Sequence, residues 1–326
     1  MTDIATTSHS AELIGLAVCD RELTAALPSE EGIESVTVAI PSGSTVADTI
    51  VRSILPRLST DRRVAFAISN DNPQGVNRML TVGGHWLIPV PPASATLAGL
   101  NLGLPDNGVQ LQSGDCDGKS SLLKVGFGEV TFAHQGEPEQ VILHTRVLTT
   151  GSDLLTEFSE FIGSPRANQM MGDKGWYYLA SFLRSRGRTP EPITRKLMLR
   201  AIDPNGEFIP AVLQELRRNL CISAILRHPF AGEVARIMGD TLGRALGYVA
   251  RQSPCGVINL QDNGISVVGG MPELLRPHLT KYLPEQTTLR FVPEQLQIVE
   301  ATGAREFVLM LRRNRKVALG RQFASA

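Results

Sequence analysis

Two short segments combine the residue types that hold a phosphate and a purine. Residues 114–121 read Gly114-Asp115-Cys116-Asp117-Gly118-Lys119-Ser120-Ser121, joining flexible residues to two carboxylates, one ammonium and two hydroxyls. A turn of that composition lets backbone N–H groups approach a phosphate, with Lys119 adding charge and Ser120 and Ser121 adding donors. Asp115 is the residue suited to face a metal ion, although Asp before a turn is also a plain turn former. The second segment, residues 264–275, carries Gly269-Gly270-Met271 ahead of a helical pattern. Bare backbone at such a turn accepts a purine and ribose, with a helix N-terminus close by. The same Gly pair also serves as a simple tight connection between strand and helix.

The surrounding pattern predicts the elements that position these segments. Residues 12–19, 34–40, 64–69 and 85–90 are short Ile/Val-rich runs that read as strands. Apolar spacing predicts helices over 45–58, 73–80 and 93–102, so strands alternate with helices in an α/β lobe. Farther on, a hairpin is expected at 122–125 and 129–133, joined at Gly126-Phe127-Gly128, followed by a strand over 140–148. Residues 152–162 and 231–251 read as helices, and 164–228 as a mostly helical insert rich in aromatic side chains. A strand-turn-helix over 257–283, a strand at 288–292 and a terminal element from Ile298 to Arg313 complete the chain.

Composition narrows the function class. With 32 basic against 32 acidic side chains among 326 residues, no whole-surface phosphate affinity is expected, which argues against general nucleic-acid binding. No apolar run approaches the ~20 residues needed to cross a bilayer. Residues 1–11 are a polar leader without the apolar core of a secretion signal, so a soluble, cytoplasmic protein is expected. Cys19, Cys116, Cys221 and Cys255 form no CxxC pair, and the histidines form no HxxxH pattern, so neither points to a metal. The basic run Arg312, Arg313, Arg315, Lys316 and Arg321 reads as a solvated helix end, or as a contact for an acidic partner or membrane surface. Trp176, Tyr177 and Tyr178 read as core packing or as an interface.

At this point the chain resembles the actin-like ATPase superfamily, which includes actin, DnaK-type chaperones, sugar kinases and the bacterial MreB and FtsA. Asp115 to Ser121 stands where that family has its second phosphate loop, and residues 265–279 match its adenosine strand, Gly-Gly turn and helix. Arg146 to Asp153, with Gly151, resembles its return strand and Gly-Gly-Asp turn, and residues 291–304 its closing strand and small-residue helix. The resemblance is strongest to MreB over 64–103 and 264–304. It implies a two-lobed α/β, actin-like (ribonuclease H-like) fold, with lobes at 12–110 and 111–326. ATP or ADP with Mg²⁺ would meet Asp115, Asp117, Gly118, Lys119, Ser120, Ser121, Gly151, Gly269, Gly270 and Met271, and Asp115 would face the metal.

Two departures weigh on catalysis. Ile14-Gly15-Leu16-Ala17-Val18-Cys19-Asp20 puts Ala17 where the family's first loop has Asp, and a methyl cannot order a hydrated cation. Pro89-Val90-Pro91-Pro92 lacks the linker acid that orients water. The short stretch before Val64 implies a reduced first-lobe subdomain. The resemblance with these losses implies a divergent bacterial actin-like scaffold, assembly or regulatory component, with weak or no hydrolysis and a protein partner or self-association. The alternative is an active enzyme of the same fold, a small-molecule kinase or a reactivating ATPase, with Asp20, Asp71 or Asp117 as its acid.

Overall fold

The structure, a computed structural model, describes residues 12–324 apart from 20, 30–31, 59–63, 71–79, 83, 104–107, 116–118, 127–129, 136, 138–139, 143–144, 164–165, 253–254, 263–267 and 293–295. In chain order the first elements are β1 (Glu12–Cys19), β2 (Glu22–Ser29), β3 (Gly32–Ala39), α1 (Val46–Thr49), β4 (Val64–Asn70), β5 (Leu80–Val82), β6 (His85–Val90) and α2 (Pro92–Leu100). Next come β7 (Val109–Gln112), β8 (Lys119–Val125), β9 (Val130–His134), β10 (Gln140–Val141), α3 (Arg146–Thr149), α4 (Asp153–Ile162) and α5 (Gly172–Ser185). The rest are α6 (Pro192–Arg200), α7 (Pro210–Ile225), α8 (Pro229–Gln252), β11 (Cys255–Asp262), α9 (Met271–Leu279), β12 (Thr288–Val292) and α10 (Gln297–Ala324). Two compact units emerge: unit 1 is Met1–Pro105 with Leu296–Ala326, and unit 2 is Asp106–Gln295.

Unit 1 is a sheet ordered β3-β2-β1-β4-β6-β5, with β1, β4 and β6 mutually parallel. A strand buried on both faces is apolar at nearly every position, which is why Leu13 to Val18 shows no alternation. Ile14, Leu16 and Val18 meet Ile50 and Ile54 on one face. Ala65, Ala67 and Val90 meet Ala95, Ala304 and Val308 on the other. The helix expected over 45–58 begins with a reciprocal Thr45–Asp48 cap, then widens over Ile50–Ile54 and tightens over Leu55–Arg57, where Pro56 cannot donate to a regular ladder.

The helix α10 closes unit 1, so the boundary expected at 110/111 misassigns the C-terminal segment. Small residues cause this. Gly99 lies against the Val299 carbonyl and Gly303 against the Ala95 carbonyl, so α2 and α10 cross with no room for a Cβ at either glycine. Strand β2 escaped notice because Glu22, Ala25, Ala26 and Pro28 carry little strand propensity; pairing with β1 and β3 on its two sides makes it a strand. The helix expected at 73–80 lies almost wholly outside the described residues, and Leu80 opens β5.

Unit 2 is a second sheet, ordered β10-β9-β8-β11-β12-β7, with α5, α7, α8 and α9 contributing to its main core. The strand expected over 140–148 is corrected: among the described residues the strand spans Gln140–Val141, with the Ile142 N–H still bonding the Val130 carbonyl, and Arg146–Thr149 forms a helical turn that buries Leu148. Helix α4 is capped by Ser152 and ends at left-handed Gly163 (φ 66°). The expected helical insert is present as α5, α6 and α7. Trp176 is fully buried there, and Tyr177 and Tyr178 pack edge-on to Phe208, so the aromatics serve the core. Among the described residues no helix is long and apolar enough to cross a membrane.

Candidate nucleotide site

Strand polarity decides which of the chemistry-bearing residues can share a site. β8 and β11 are parallel, with Lys119 beside Cys255 at one end and Val125 beside Asp262 at the other. Lys119, Ser120 and Ser121 are the first residues of β8, so the Asp115 segment leads into the amino ends of these strands. Gly269 and Gly270 follow the carboxyl end of β11. Six residue steps at ~3.3 Å put the two ends about 20 Å apart. The expectation of one site built from both segments is therefore corrected. In open α/β sheets ligands gather at strand carboxyl ends, which favours the glycine turn.

The individual residues agree with that polarity. The Ser121 hydroxyl points into the core and bonds His134 Nδ1 at 2.6 Å, and is not a free phosphate donor. Burial lowers the His134 imidazole pKa, Glu137 opposing. Lys119 makes an exposed ion pair with Glu137 at 3.1 Å. Ser120 is half-buried. Gly114 is tied to the start of β12, its N–H donating to Thr288 Oγ1 at 3.0 Å. Asp115 is exposed beside it, and among the described residues no three His, Cys, Asp or Glu gather into a metal site, so the metal role expected of Asp115 finds no companion ligands. Cys116, Asp117 and Gly118 lie outside the described residues, as do residues 264–267.

At the carboxyl end of β11, Gly270 takes a left-handed conformation (φ 86°) and N-caps α9 without a side-chain cap. A Cβ at Gly269 would meet nothing within 4 Å, and one at Gly270 only Ile225 Cδ1, at 3.9 Å. The turn is thus open backbone beside one apolar side chain, a surface that fits a purine. Met271 differs from expectation: its side chain is fully buried in the core and its N–H bonds the Val268 carbonyl at 3.2 Å. Gly151 (φ 73°) turns between α3 and α4. Beside it, the Thr150 carbonyl accepts from Arg244 at 2.7 Å. Arg244 also bonds Asp240 at 3.0 Å, and Tyr282 bonds the same carboxylate at 2.7 Å. Burial pushes Asp240 upward, but these donors together hold it below the usual carboxylate range.

Sequence reasoning missed the groups beneath these strand ends. Gly126, where β8 turns towards β9, presents its carbonyl to left-handed Gly172, where an added Cβ would sit 2.7 Å away. The next residue, Asp173, is 3% exposed and lies 2.5 Å from Arg217 Nη1, which is 3.8 Å from the fully buried Asp262. Desolvation raises Asp173 to about 6, with Arg217 opposing and Asp262 reinforcing the shift. Burial likewise pushes the neighbouring Cys221 thiol up to about 12. In the sequence these acids look like ordinary surface residues, an acid in the first turn of a helix and an Asp-Asn-Gly turn.

In unit 1 the corresponding strand ends hold Ala17 beside Ser69. Ala17 packs against Ala301 and Ile298 of α10, so its methyl is part of the core. The buried ionisable side chain among the described residues of this unit is Glu300, which accepts from Ser69 and, at 3.5 Å, from Thr96. Pro91 and Pro92 open α2 with no side-chain cap. Asp20 and Asp71 lie outside the described residues.

These features make the chain an α/β protein of two sheet-and-helix units, whose fold is the one shared by the sugar-kinase structures that follow. The chain is similar in structure to the ROK family glucokinase of Streptomyces griseus solved with glucose and AMPPNP, with 16% identity, a TM-score of 0.53, and coverage of 90% of this chain and 98% of that one. The ROK hexokinase of Thermus thermophilus is similar at 14% identity and TM-score 0.61, covering 92% and 99%. A ROK family transcriptional regulator, a homolog of the E. coli MLC protein, is similar at 14% identity and TM-score 0.56, covering 92% and 80%. The closeness to MreB and FtsA expected from the sequence gains no support from these relatives. No family model and no curated protein matches the sequence.

Proposed function

We propose that the chain is a small-molecule kinase of the sugar-kinase fold, binding an adenine nucleotide through unit 2. The observation that carries this reading is the open Gly269–Gly270 turn at the carboxyl end of β11 and the N-terminus of α9. Gly269 and Gly270 would lie against adenine and ribose, Ile225 would give an apolar wall, and the first N–H groups of α9 would favour nearby phosphate. ATP supplies a phosphoryl group. The likeness to glucokinase and hexokinase structures over about nine-tenths of the chain supports a hydroxylated small molecule as acceptor more than a filament or scaffold role. Among the described residues no three His, Cys, Asp or Glu gather to hold a metal ion by themselves, whereas a Mg²⁺ carried on nucleotide phosphates would need only one or two carboxylates.

A second reading keeps nucleotide binding without transfer, in a regulatory protein. It is favoured by the buried Ala17 and the Pro91-Pro92 start of α2, which leave Glu300, engaged by two hydroxyls, as the buried carboxyl group among the described residues of unit 1. Calorimetric titration of ATP and ADP tests binding, and an ADP-release assay across hexoses and amino sugars tests transfer. Sugar-dependent ADP release that is lost in Asp20→Ala or Asp71→Ala supports the kinase. Binding without release supports the regulator, and absence of binding defeats both.

A further inference from the structure

Helix α6 (Pro192–Arg200) is held by one face and leaves the other to solvent. Pro192 stands in its first turn, where a missing N–H costs nothing, and Thr194, Leu197 and Met198, spaced i, i+3, i+4, are buried. The Thr194 hydroxyl donates to Asn219 Oδ1 of α7 at 2.8 Å, which fixes α6 against its neighbour. The outward face is not the polar stripe usual on a surface helix. Leu199 is 67% exposed and Ile193 63% exposed. Arg195 and Lys196 precede Leu199 by four and three residues, and Arg200 follows Lys196 by four, so helical spacing sets three exposed cations around Leu199. No acid lies within α6, and among the described residues no carboxylate pairs with any of the three. On α7, Ile222 and Leu226 follow Asn219 by one and two turns and are also exposed, with Arg218 beside them and Glu215 a turn earlier.

We propose that this α6–α7 face docks on the surface of a bilayer that contains anionic phospholipid. Leu199 and Ile193 enter the headgroup boundary, and Arg195, Lys196 and Arg200 meet the lipid phosphates. Charge complementarity selects an anionic occupant and disfavours a second copy of the same face, which would set like charges against each other. The scatter of aliphatic side chains among cations then selects a bilayer over an acidic protein. The core of a protein interface is depleted of charge, whereas at a bilayer each apolar side chain enters alone while the cations reach up to the headgroups. A nucleic-acid strand would engage the cations through its phosphates and leave Leu199 and Ile193 in water. Such attachment is reversible and lies in the plane of the interface, and it holds whether or not unit 2 binds a nucleotide.

Cosedimentation of the full chain with vesicles tests the docking. Vesicles of about 70% phosphatidylcholine and about 30% phosphatidylserine should bind the chain, pure phosphatidylcholine should not, and raising salt from about 0.1 M to about 0.5 M should release it. Lys196→Glu/Arg200→Glu should weaken binding at least about twentyfold, since each basic side chain near an anionic surface contributes about fivefold. Leu199→Gln should weaken it about threefold or more, and the emission of Leu199→Trp should shift to shorter wavelength on the serine-containing vesicles. These side chains are exposed, so the melting temperature of each variant should match wild type. Arg312→Glu/Arg313→Glu, in the basic C-terminal segment, should leave binding unchanged. Failure to bind the serine-containing vesicles, or binding lost in the C-terminal pair and kept in the α6 pair, overturns the proposal. Vesicle binding indifferent to Leu199→Gln, with no emission shift in Leu199→Trp, overturns the entry of Leu199 into the bilayer. Binding to poly(U) RNA that Lys196→Glu/Arg200→Glu abolishes, with none to vesicles, assigns the face to nucleic acid and overturns the bilayer.

Discussion

Ser69 donates its hydroxyl to the Glu300 carboxylate across 231 residues of chain, joining the end of β4 to the first turns of α10. Both residues are buried, so the bond satisfies a carboxyl that water hardly reaches. Ser69→Ala should lower the stability of unit 1 by about 1–3 kcal/mol, the usual cost of leaving a buried acceptor short of a donor. Chemical denaturation checks this, and a change below a few tenths of a kcal/mol would count against the bond.

Asp173 gives stability a pH dependence of unusual sign. Its folded carboxyl is raised to about 6 from an ordinary value of 3.8, so the folded state binds the extra proton between those values. That stabilisation is fully present below about 4 and is lost as pH rises through about 6. Asp173→Asn should flatten this window and be more stable than wild type at about pH 8, by at most about 3 kcal/mol. Melting curves from acid to neutral pH decide it; a wild-type curve that keeps the same slope in Asp173→Asn refutes the assignment.

The two glycine-linked segments should separate in mutagenesis. Gly269→Phe puts its Cβ where no described neighbour stands within 4 Å, so the fold should survive with Tm unchanged within ~2 °C while ATP affinity falls at least about tenfold. Ser121→Ala should do the reverse, removing the bond to His134 and about 1 kcal/mol of stability with nucleotide affinity intact. Calorimetric titration beside thermal melts distinguishes the pair.

Gly303→Val tests the α2–α10 crossing. The added side chain runs into the Ala95 carbonyl, so the helices must part. Loss of about 3 kcal/mol or more is expected from such overpacking, read by urea denaturation. Val at Gly232, which has open space around it, is the control and should cost far less.

Much of this fold was legible because burial writes itself into strand composition. The runs at 12–19, 64–69 and 288–292 are apolar enough to stand out, and Ser152 and Gly163 mark the ends of α4. Strand β2 was not, because its residues are indifferent and its neighbours make it a strand. Of the candidate site proposed above, the glycine turn stands out in the sequence and the strand polarity does not. Gly269 and Gly270 carried their own signal, but composition alone cannot tell at which end of a parallel strand a turn lies, and that misplaced the role given to Asp115 and Ser121. The Asp173–Arg217–Asp262 cluster left no trace, since its members are 44 and 89 residues apart along the chain, counted from Asp173 to Arg217 and to Asp262.

The return of α10 to unit 1 fixes an order of events during synthesis. Unit 2 is one continuous stretch, Asp106–Gln295, whose strands and helices have all been synthesised before α10 is made. Unit 1 opens the chain yet lacks its last wall until Leu296–Ala326 arrives. Until then Gly15, Ala17, Ala95 and Gly99 have no α10 to cover them. The part of the protein translated first is thus the part finished last, and a chain cut short before residue 296 leaves that face of unit 1 uncovered while unit 2 is whole.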